Sequence, residues 1–385
     1  MAAGFDLTLT RRTLLGDGSI TELGPIAAGF GTRALLMIGR GSVRASGAFD
    51  GALASLAAAG IISHLFEGVE PDPSVDTTDR AADLCRGLEA QLVISLGGGS
   101  VMDCAKSVAM LATNPGSSAE YQLGQRTVEV AGVAHIAIPT TAGTGSEANR
   151  ISVLTHHGER MKKSIADRRM VPDVAILDPS LTTSLPPFET AYTGVDAFAH
   201  AAEAYVSLNA TPVTEAFSLR AIELVAKSLV RAVDAGDDVE ARADMLLASY
   251  LGGASLNAGV GCAHMLAHPL GASFGMPHGA AIAGLLPQVL DANWEHAPDK
   301  YARIARALDP ELASATTAQA AGSAADALRG LLERIGLKVR LGDHGVSPDC
   351  FGTIYSGVQK STGHIKTNPR PVDPELLRAI IETSI

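Results

Sequence analysis

The stretch QLVISLGGGS, Gln91–Ser100, carries a short unbroken apolar run into three glycines and a serine, and a helical segment with Asp103 and Lys106 follows it. An apolar run without alternation marks a strand covered on both faces, as in a parallel sheet between two helix layers. Three other runs share this character: ALLMIG at Ala34–Gly39, HIAIPTT at His135–Thr141 and VAILDP at Val174–Pro179, all separated by helix-like segments. Residues 1–185 therefore read as an α/β domain with a doubly wound parallel sheet. Met1–Ile20 alternates polar and apolar side chains around Arg11 and Arg12 and suits a strand pair. Beyond Pro186-Pro187 the spacing turns helical, as in Phe217–Val233 and Val239–Tyr250, so residues 186–385 read as an all-α domain. The low-complexity stretch Ala313–Ala325 fits a solvent-facing helix or the loop leading into one.

A chain of 385 residues is long enough for two cores, and 46% apolar against 18% charged residues is the composition of a compact protein. The formal net charge of −11 excludes a non-specific partner among nucleic acids or anionic membranes. No run reaches the roughly 18 apolar residues of a membrane span. Cys85, Cys104, Cys262 and Cys350 form no CxxC pair, which points to reduced thiols and a cytoplasmic location.

Two loops carry phosphate-binding chemistry. Gly97-Gly98-Gly99-Ser100 joins a strand to a helix whose first N–H groups attract anions, although the same residues also serve as a plain tight turn. Pro139–Glu147, PTTAGTGSE, follows another strand and packs hydroxyls and glycines together. Two such loops at the carboxyl ends of parallel strands suit a dinucleotide. In VDAFAHAAEAY, Asp196 and His200 are four apart and share one helix face, and GCAHMLAHPLGASFGMPHGAA adds His264, His268 and His278. A histidine in apolar surroundings is commonly a satisfied core residue, and Asp196 with His200 also makes a simple hydrogen-bonded pair. Several together in such surroundings call for a shared partner, and a divalent first-row cation, Fe2+ or Zn2+, supplies one.

Five segments resemble the iron-containing (group III) alcohol dehydrogenase family: GGGSVMDCAK at Gly97–Lys106, PTTAGTGSE, VAILDPSLTTSLP at Val174–Pro186, TGVDAFAHAAEAY at Thr193–Tyr205, and AHMLAHPLGASFGMPHG at Ala263–Gly279. TNPRP at Thr367–Pro371 is a shorter match. The resemblance implies an NAD(P)-linked enzyme that moves hydride directly between nicotinamide and a small alcohol–aldehyde pair, with a metal polarising the carbonyl. It makes Asp196, His200, His264 and His278 the metal ligands and sets the catalytic candidate His268 near nicotinamide and substrate, to relay a proton or orient the cofactor. It puts Gly98, Gly99 and Ser100 at the pyrophosphate, Asp103 beside the dinucleotide, Thr140, Thr141 and Thr144 around adenine and ribose, and Lys162 at the nicotinamide ribose. A polyol dehydrogenase and a dehydroquinate synthase-like lyase share the architecture, but the complete Asp-His-His-His set favours the alcohol dehydrogenase branch. A homodimer or higher homo-oligomer is the default assembly.

The chain departs from that pattern twice. Gly39-Arg40-Gly41-Ser42 replaces the acidic residue that many relatives carry after the first strand, so Arg40 and Ser42 suit a 2′-phosphate and NADP(H), the alternative being a glycine turn with a solvated arginine and either cofactor, NADP(H) or NAD(H). Ser255 stands where some relatives carry a bulky aromatic, which predicts a roomier or a more polar wall. Arg150, with Lys162 and Lys163 nearby in sequence, suits either a solvated basic face or an anionic substrate such as phosphonoacetaldehyde.

Overall fold

The computed structural model describes residues 4–159, 161–360 and 366–385; of Ser42 and Ala45, only the backbone is described. The chain divides into two compact units, one of Asp6–Leu185 with Asp237–Leu246, the other built on Pro186–Gly236 and Leu247–Ile385.

The first unit is a six-stranded sheet of β1 (Arg12–Leu15), β2 (Arg33–Gly39), β3 (Ile62–Val69), β4 (Leu92–Gly97), β5 (Ala134–Pro139) and β8 (Val174–Leu177). Its order is β1-β8-β5-β4-β2-β3 and every pairing is parallel. β6 (Ile151–His156) and β7 (Met161–Ala166) form a separate antiparallel pair. Helices α1 (Leu23–Ala28), α2 (Ser42–Ala45), α3 (Ala48–Ala58), α4 (Val75–Gly87), α5 (Gly99–Leu111) and α6 (Ser118–Gln122) alternate with the strands. Leu36, Ile38, Ile94 and Ile136 pack on Leu23 and Leu56 on one face. Leu35, Met37 and Val93 pack on Val101, Cys104 and Val108 of α5 on the other. That two-sided covering explains why β2, β4, β5 and β8 are continuous apolar runs.

The N-terminal strand pair expected from alternation is instead one strand. β1 joins the sheet in parallel with β8, opposing Arg12 to Val174; local alternation specifies a strand but not a partner 160 residues away. The sheet switches direction between β2 and β4, because the chain leaves β2 towards β3 and returns through β4 on β2's other side. Ligands of open α/β sheets bind at such a switch point, beyond the carboxyl ends of the strands.

The second unit is helical, with α7 (Pro187–Val206), α8 (Pro212–Asp234), α9 (Val239–Ser255, whose first residues belong to the first unit), α10 (Cys262–Phe274) and α11 (His278–Asn293) leading a further set of helices. Ala313–Ala325 starts as an exposed lead-in, with residues 313–319 largely open to solvent, and continues through the helix Thr317–Gly322 into the helix Ala324–Arg334, where Ala320, Ala321, Ala324 and Ala325 turn inward because methyl side chains let helices approach closely. Among the described residues no helix is long and apolar enough to cross a membrane, and all four cysteines are free thiols.

Candidate metal centre and cofactor loops

Pro187 starts α7 at a position where its missing N–H costs nothing, and the helix runs far enough to bury Asp196, His200 and Glu203 on successive turns. α10 supplies His264 and His268 and ends at Gly275 in the left-handed conformation. Pro277 then precedes His278, the first residue of α11. Asp196 Oδ1 lies 3.5 Å from His278 Nε2, 3.6 Å from His264 Nε2 and 3.8 Å from His200 Nδ1. The His268 and His278 ring centroids are 5.7 Å apart.

These separations are too long for hydrogen bonds. They match ligand atoms that share one ion, since donors each about 2.0–2.2 Å from a tetrahedral centre stand about 3.3–3.6 Å apart. Asp196 Oδ1 and His264 Nε2 are buried without a hydrogen-bond partner, at a cost of about 1–3 kcal/mol each if left so. Charge points the same way. Burial alone would raise the Asp196 carboxyl, but His200 and the other imidazoles hold it well below the usual carboxylate range. Burial likewise opposes protonation of His264, yet Asp196 and Glu203 outweigh it and raise the imidazole to about 9. The pocket demands positive charge. One carboxylate and three imidazoles without thiolate suit a first-row divalent ion with an open position.

Glu203, three residues beyond His200, was assigned no role from sequence. Its carboxylate accepts from His264 Nδ1 at 2.6 Å, from Gly261 N at 3.0 Å and from Ala263 N at 2.7 Å. TNPRP holds the approach to α10. Thr367 Oγ1 donates to Val260 O, Asn368 and Asn293 exchange amide bonds of 3.0 and 3.1 Å, and Arg370 donates to Ala292 O at 3.0 Å. A Cβ on Gly261 would stand 2.8 Å from Asn368 Oδ1 and 2.9 Å from Glu203 Oε1, so only glycine lets these groups close around the turn.

In the first unit the loops after β4 and β5 leave neighbouring strands at the same end, with Gly97 opposite Pro139. Gly98 caps α5 without a side-chain bond to its first N–H groups. A Cβ on Gly99 would stand 2.4 Å from Thr144 Cγ2, and one on Gly98 3.3 Å from Thr141 Oγ1. The glycines thus serve loop-on-loop packing. Thr140 is tied to the neighbouring loop through its N–H to Gly97 O at 3.0 Å.

Asp103 is turned to the protein: it accepts from Ser146 Oγ and from Val153 N at 2.9 Å, and pairs with Lys106 at 3.2 Å. The fully buried Lys106 ammonium also donates to Ser146 O, Asn149 Oδ1 and Ile151 O, so the two residues clamp the end of PTTAGTGSE. Lys162 pairs with Asp72 at 2.6 Å, and the Asp72 N–H donates to Ser100 Oγ at 3.1 Å. Asp72 has φ 53°, a conformation non-glycine residues adopt rarely. Gly39 ends β2 at the switch point, Arg40 after it is exposed, and the Ser42 side chain lies outside the described residues.

The polar wall expected from Ser255 is not formed by its hydroxyl. Ser255 is fully buried and its Oγ donates to Leu251 O at 2.8 Å within its own helix. Arg150 is half-buried, and no carboxylate pairs with it among the described residues; the nearby Glu147 is buried with both carboxylate oxygens without hydrogen-bond partners. Burial pushes the Glu147 carboxyl up to about 7. Phe188 and Tyr192, edge to face at 5.2 Å, continue the four-residue spacing of Asp196 and His200 back along α7.

Comparison with known proteins agrees with this arrangement. The family described as Iron-containing alcohol dehydrogenase matches residues 10–179, and Fe-containing alcohol dehydrogenase family, C-terminal, matches 190–385. Long-chain-alcohol dehydrogenase 1 of Geobacillus thermodenitrificans is 36% identical over 96% of this chain and 94% of its own. A crystal structure of 1,3-propanediol oxidoreductase superposes with a TM-score of 0.94 at 34% identity, covering 100% of both chains. Sulfoacetaldehyde reductase from Bifidobacterium kashiwanohense, in complex with NAD+, gives 0.88 at 28% identity over 99% of this chain and 98% of that one. With matches over residues 10–179 and 190–385, the chain belongs to the iron-containing alcohol dehydrogenase family and is a metal-dependent, nicotinamide-linked alcohol oxidoreductase.

Proposed function

We propose that Asp196, His200, His264 and His278 hold a divalent ion, Fe2+ before Zn2+, and that the chain interconverts a small anionic aldehyde and its alcohol with NADP(H) or NAD(H). The observation that carries the metal assignment is three imidazole nitrogens set 3.5–3.8 Å around one buried carboxylate oxygen. When bound, the ion supplies Lewis-acid polarisation of the substrate oxygen and the nicotinamide exchanges hydride with the carbonyl carbon. His268, half-buried beside His278, holds or orients the alcohol proton. Gly98, Gly99 and Ser100 at the start of α5 receive the pyrophosphate, Thr140, Thr141 and Thr144 flank adenine and ribose, Lys162 reaches the nicotinamide ribose, and Asp103 positions the second loop.

Gly39 and Arg40 at the switch point support NADP(H). NADPH is expected to give a kcat/KM at least equal to that of NADH, measured on one aldehyde. A Cβ on Gly39 would keep 3.6 Å from Val101 and Val69, so Gly39→Asp fits and should shift preference about tenfold or more towards NADH by repelling the 2′-phosphate. A strong NADH preference in the unmodified chain would refute this reading.

Arg150 supports an anionic substrate because no carboxylate pairs with it among the described residues, and a structural neighbour is a sulfoacetaldehyde reductase. Arg150→Ala should raise KM for phosphonoacetaldehyde or sulfoacetaldehyde about tenfold to a hundredfold more than for butanal, the worth of a charge-assisted hydrogen bond. The Phe188–Tyr192 pair favours a second reading, a neutral aliphatic substrate, and equal KM changes for both aldehydes would decide for it.

A further inference from the structure

We propose that Glu203 is a positioning residue that keeps the proton of neutral His264 on Nδ1, so that a bare Nε2 faces Asp196 where the cation binds. The inference deepens the metal assignment above and rests on it.

The argument is a count of donors. Three converge on the Glu203 carboxylate: Gly261 N–H and His264 Nδ1 on Oε2, and Ala263 N–H on Oε1. Backbone amides only donate, and accepting from one of them on each oxygen favours the ionised form of the carboxylate. A carboxylate without a proton leaves Nδ1 of His264 as the donor. A neutral imidazole has one proton, so the lone pair is on Nε2, the atom 3.6 Å from Asp196 Oδ1 and without a hydrogen-bond partner. Ring and helix are set together, because two of the three donors are backbone N–H groups at the start of α10. Packing alone does not require this charge, since an apolar residue avoids the cost of burying a carboxylate. A neutral amide fails for a specific reason: with one accepting oxygen and one NH2 group, Gln would turn a donor against at least one of the three donors. Carboxylate–histidine pairs of this kind fix the ring and raise its basicity towards a metal, and their loss commonly weakens binding about 10–100-fold.

The test uses the full-length chain, stripped with chelator and titrated with Co2+ against a chromophoric competitor, in the unmodified protein, Glu203→Gln, Glu203→Asp and His264→Ala. Glu203→Gln is expected to weaken Co2+ binding about 10–100-fold and to change the visible Co2+ spectrum, with Glu203→Asp retaining part of the affinity. An unchanged dissociation constant and spectrum in Glu203→Gln, with only a lower melting temperature of the metal-free protein, would make Glu203 merely structural and overturn the proposal. If Glu203→Gln does not fold, ring 15N shifts of His264 in the Zn2+-loaded unmodified protein decide: a protonated Nδ1 with metal on Nε2 upholds it, and metal on Nδ1 overturns it. The metal assignment fails separately, if the unmodified chain binds no stoichiometric Co2+ or His264→Ala binds it equally well.

Discussion

Asp196→Ala, His264→Ala and His278→Ala are each expected to yield folded protein that has lost most of its metal and nearly all turnover. Asp196 supplies the one carboxylate oxygen that all three imidazoles face at 3.5–3.8 Å, so its removal takes away the negative charge that makes the pocket attract a cation. The fall in kcat should be on the order of a hundredfold to a thousandfold or more, the scale of losing a preorganised charge-stabilising group from a site that depends on it. Elemental analysis of protein purified without chelator, run beside an aldehyde-reduction assay, checks both. Full occupancy and a normal rate in any of the three variants would remove that residue from the ligand set. A pH dependence follows. In the metal-free centre Asp196 and Glu203 raise His264 to about 9 against the opposing effect of burial. At pH 7 the metal-free ring is therefore cationic, with a proton on each nitrogen, and an entering cation displaces the one on Nε2 to leave the neutral ring whose remaining proton Glu203 keeps on Nδ1. Loading should release that proton, and apparent affinity should climb with pH up to about 9.

How much of this could be read in the sequence depends on whether the cause is local. β2, β4, β5 and β8 were legible because both their faces are buried, which leaves uninterrupted apolar runs. β3 was not. It is the sheet's edge, its sequence ISHLFEGV mixes polar residues among exposed Ile62 and Leu65, and no simple period survives. Asp196 and His200 advertised a shared helix face through their spacing, but the approach of α10 and α11 to that face is tertiary. Glu203 stood in the same run, three residues past His200. Its role depends on Gly261, Ala263 and His264, about sixty residues on, and the only local signal was a charge in an alanine-rich helix. Asp103, which the family resemblance puts beside the dinucleotide, accepts here from Ser146 Oγ and Val153 N, partners more than forty residues on that no local pattern announces. Ser255 differs from a bulky aromatic in volume as the sequence says, yet its hydroxyl bonds to its own helix and builds no polar wall.

Gly99→Val is expected to abolish tight NAD(P)H binding while leaving the metal in place. Gly99 is the first residue of α5 and its φ is not in the left-handed region, so the constraint is space rather than backbone conformation. A Cβ there would stand 2.4 Å from Thr144 Cγ2 and 2.7 Å from Thr144 Oγ1, closer than side-chain atoms tolerate. Either the start of α5 or the PTTAGTGSE loop must therefore move. Overpacking of this kind costs about 1–3 kcal/mol, roughly fivefold to 150-fold in an equilibrium, and the valine methyls add a direct block to the approach of a pyrophosphate. The metal is spared because all four proposed ligands lie on α7, α10 and α11. Fluorescence titration of NADPH, with metal content measured on the same samples, tests the claim, and an unchanged dissociation constant would sink it. The smaller variant separates two causes. If the clash with Thr144 is what disturbs the loops, Gly99→Ala should lose affinity and Thr144→Gly in the same chain should restore part of it. If Gly99 is needed only so that phosphate can come close to the backbone, the second substitution should restore nothing.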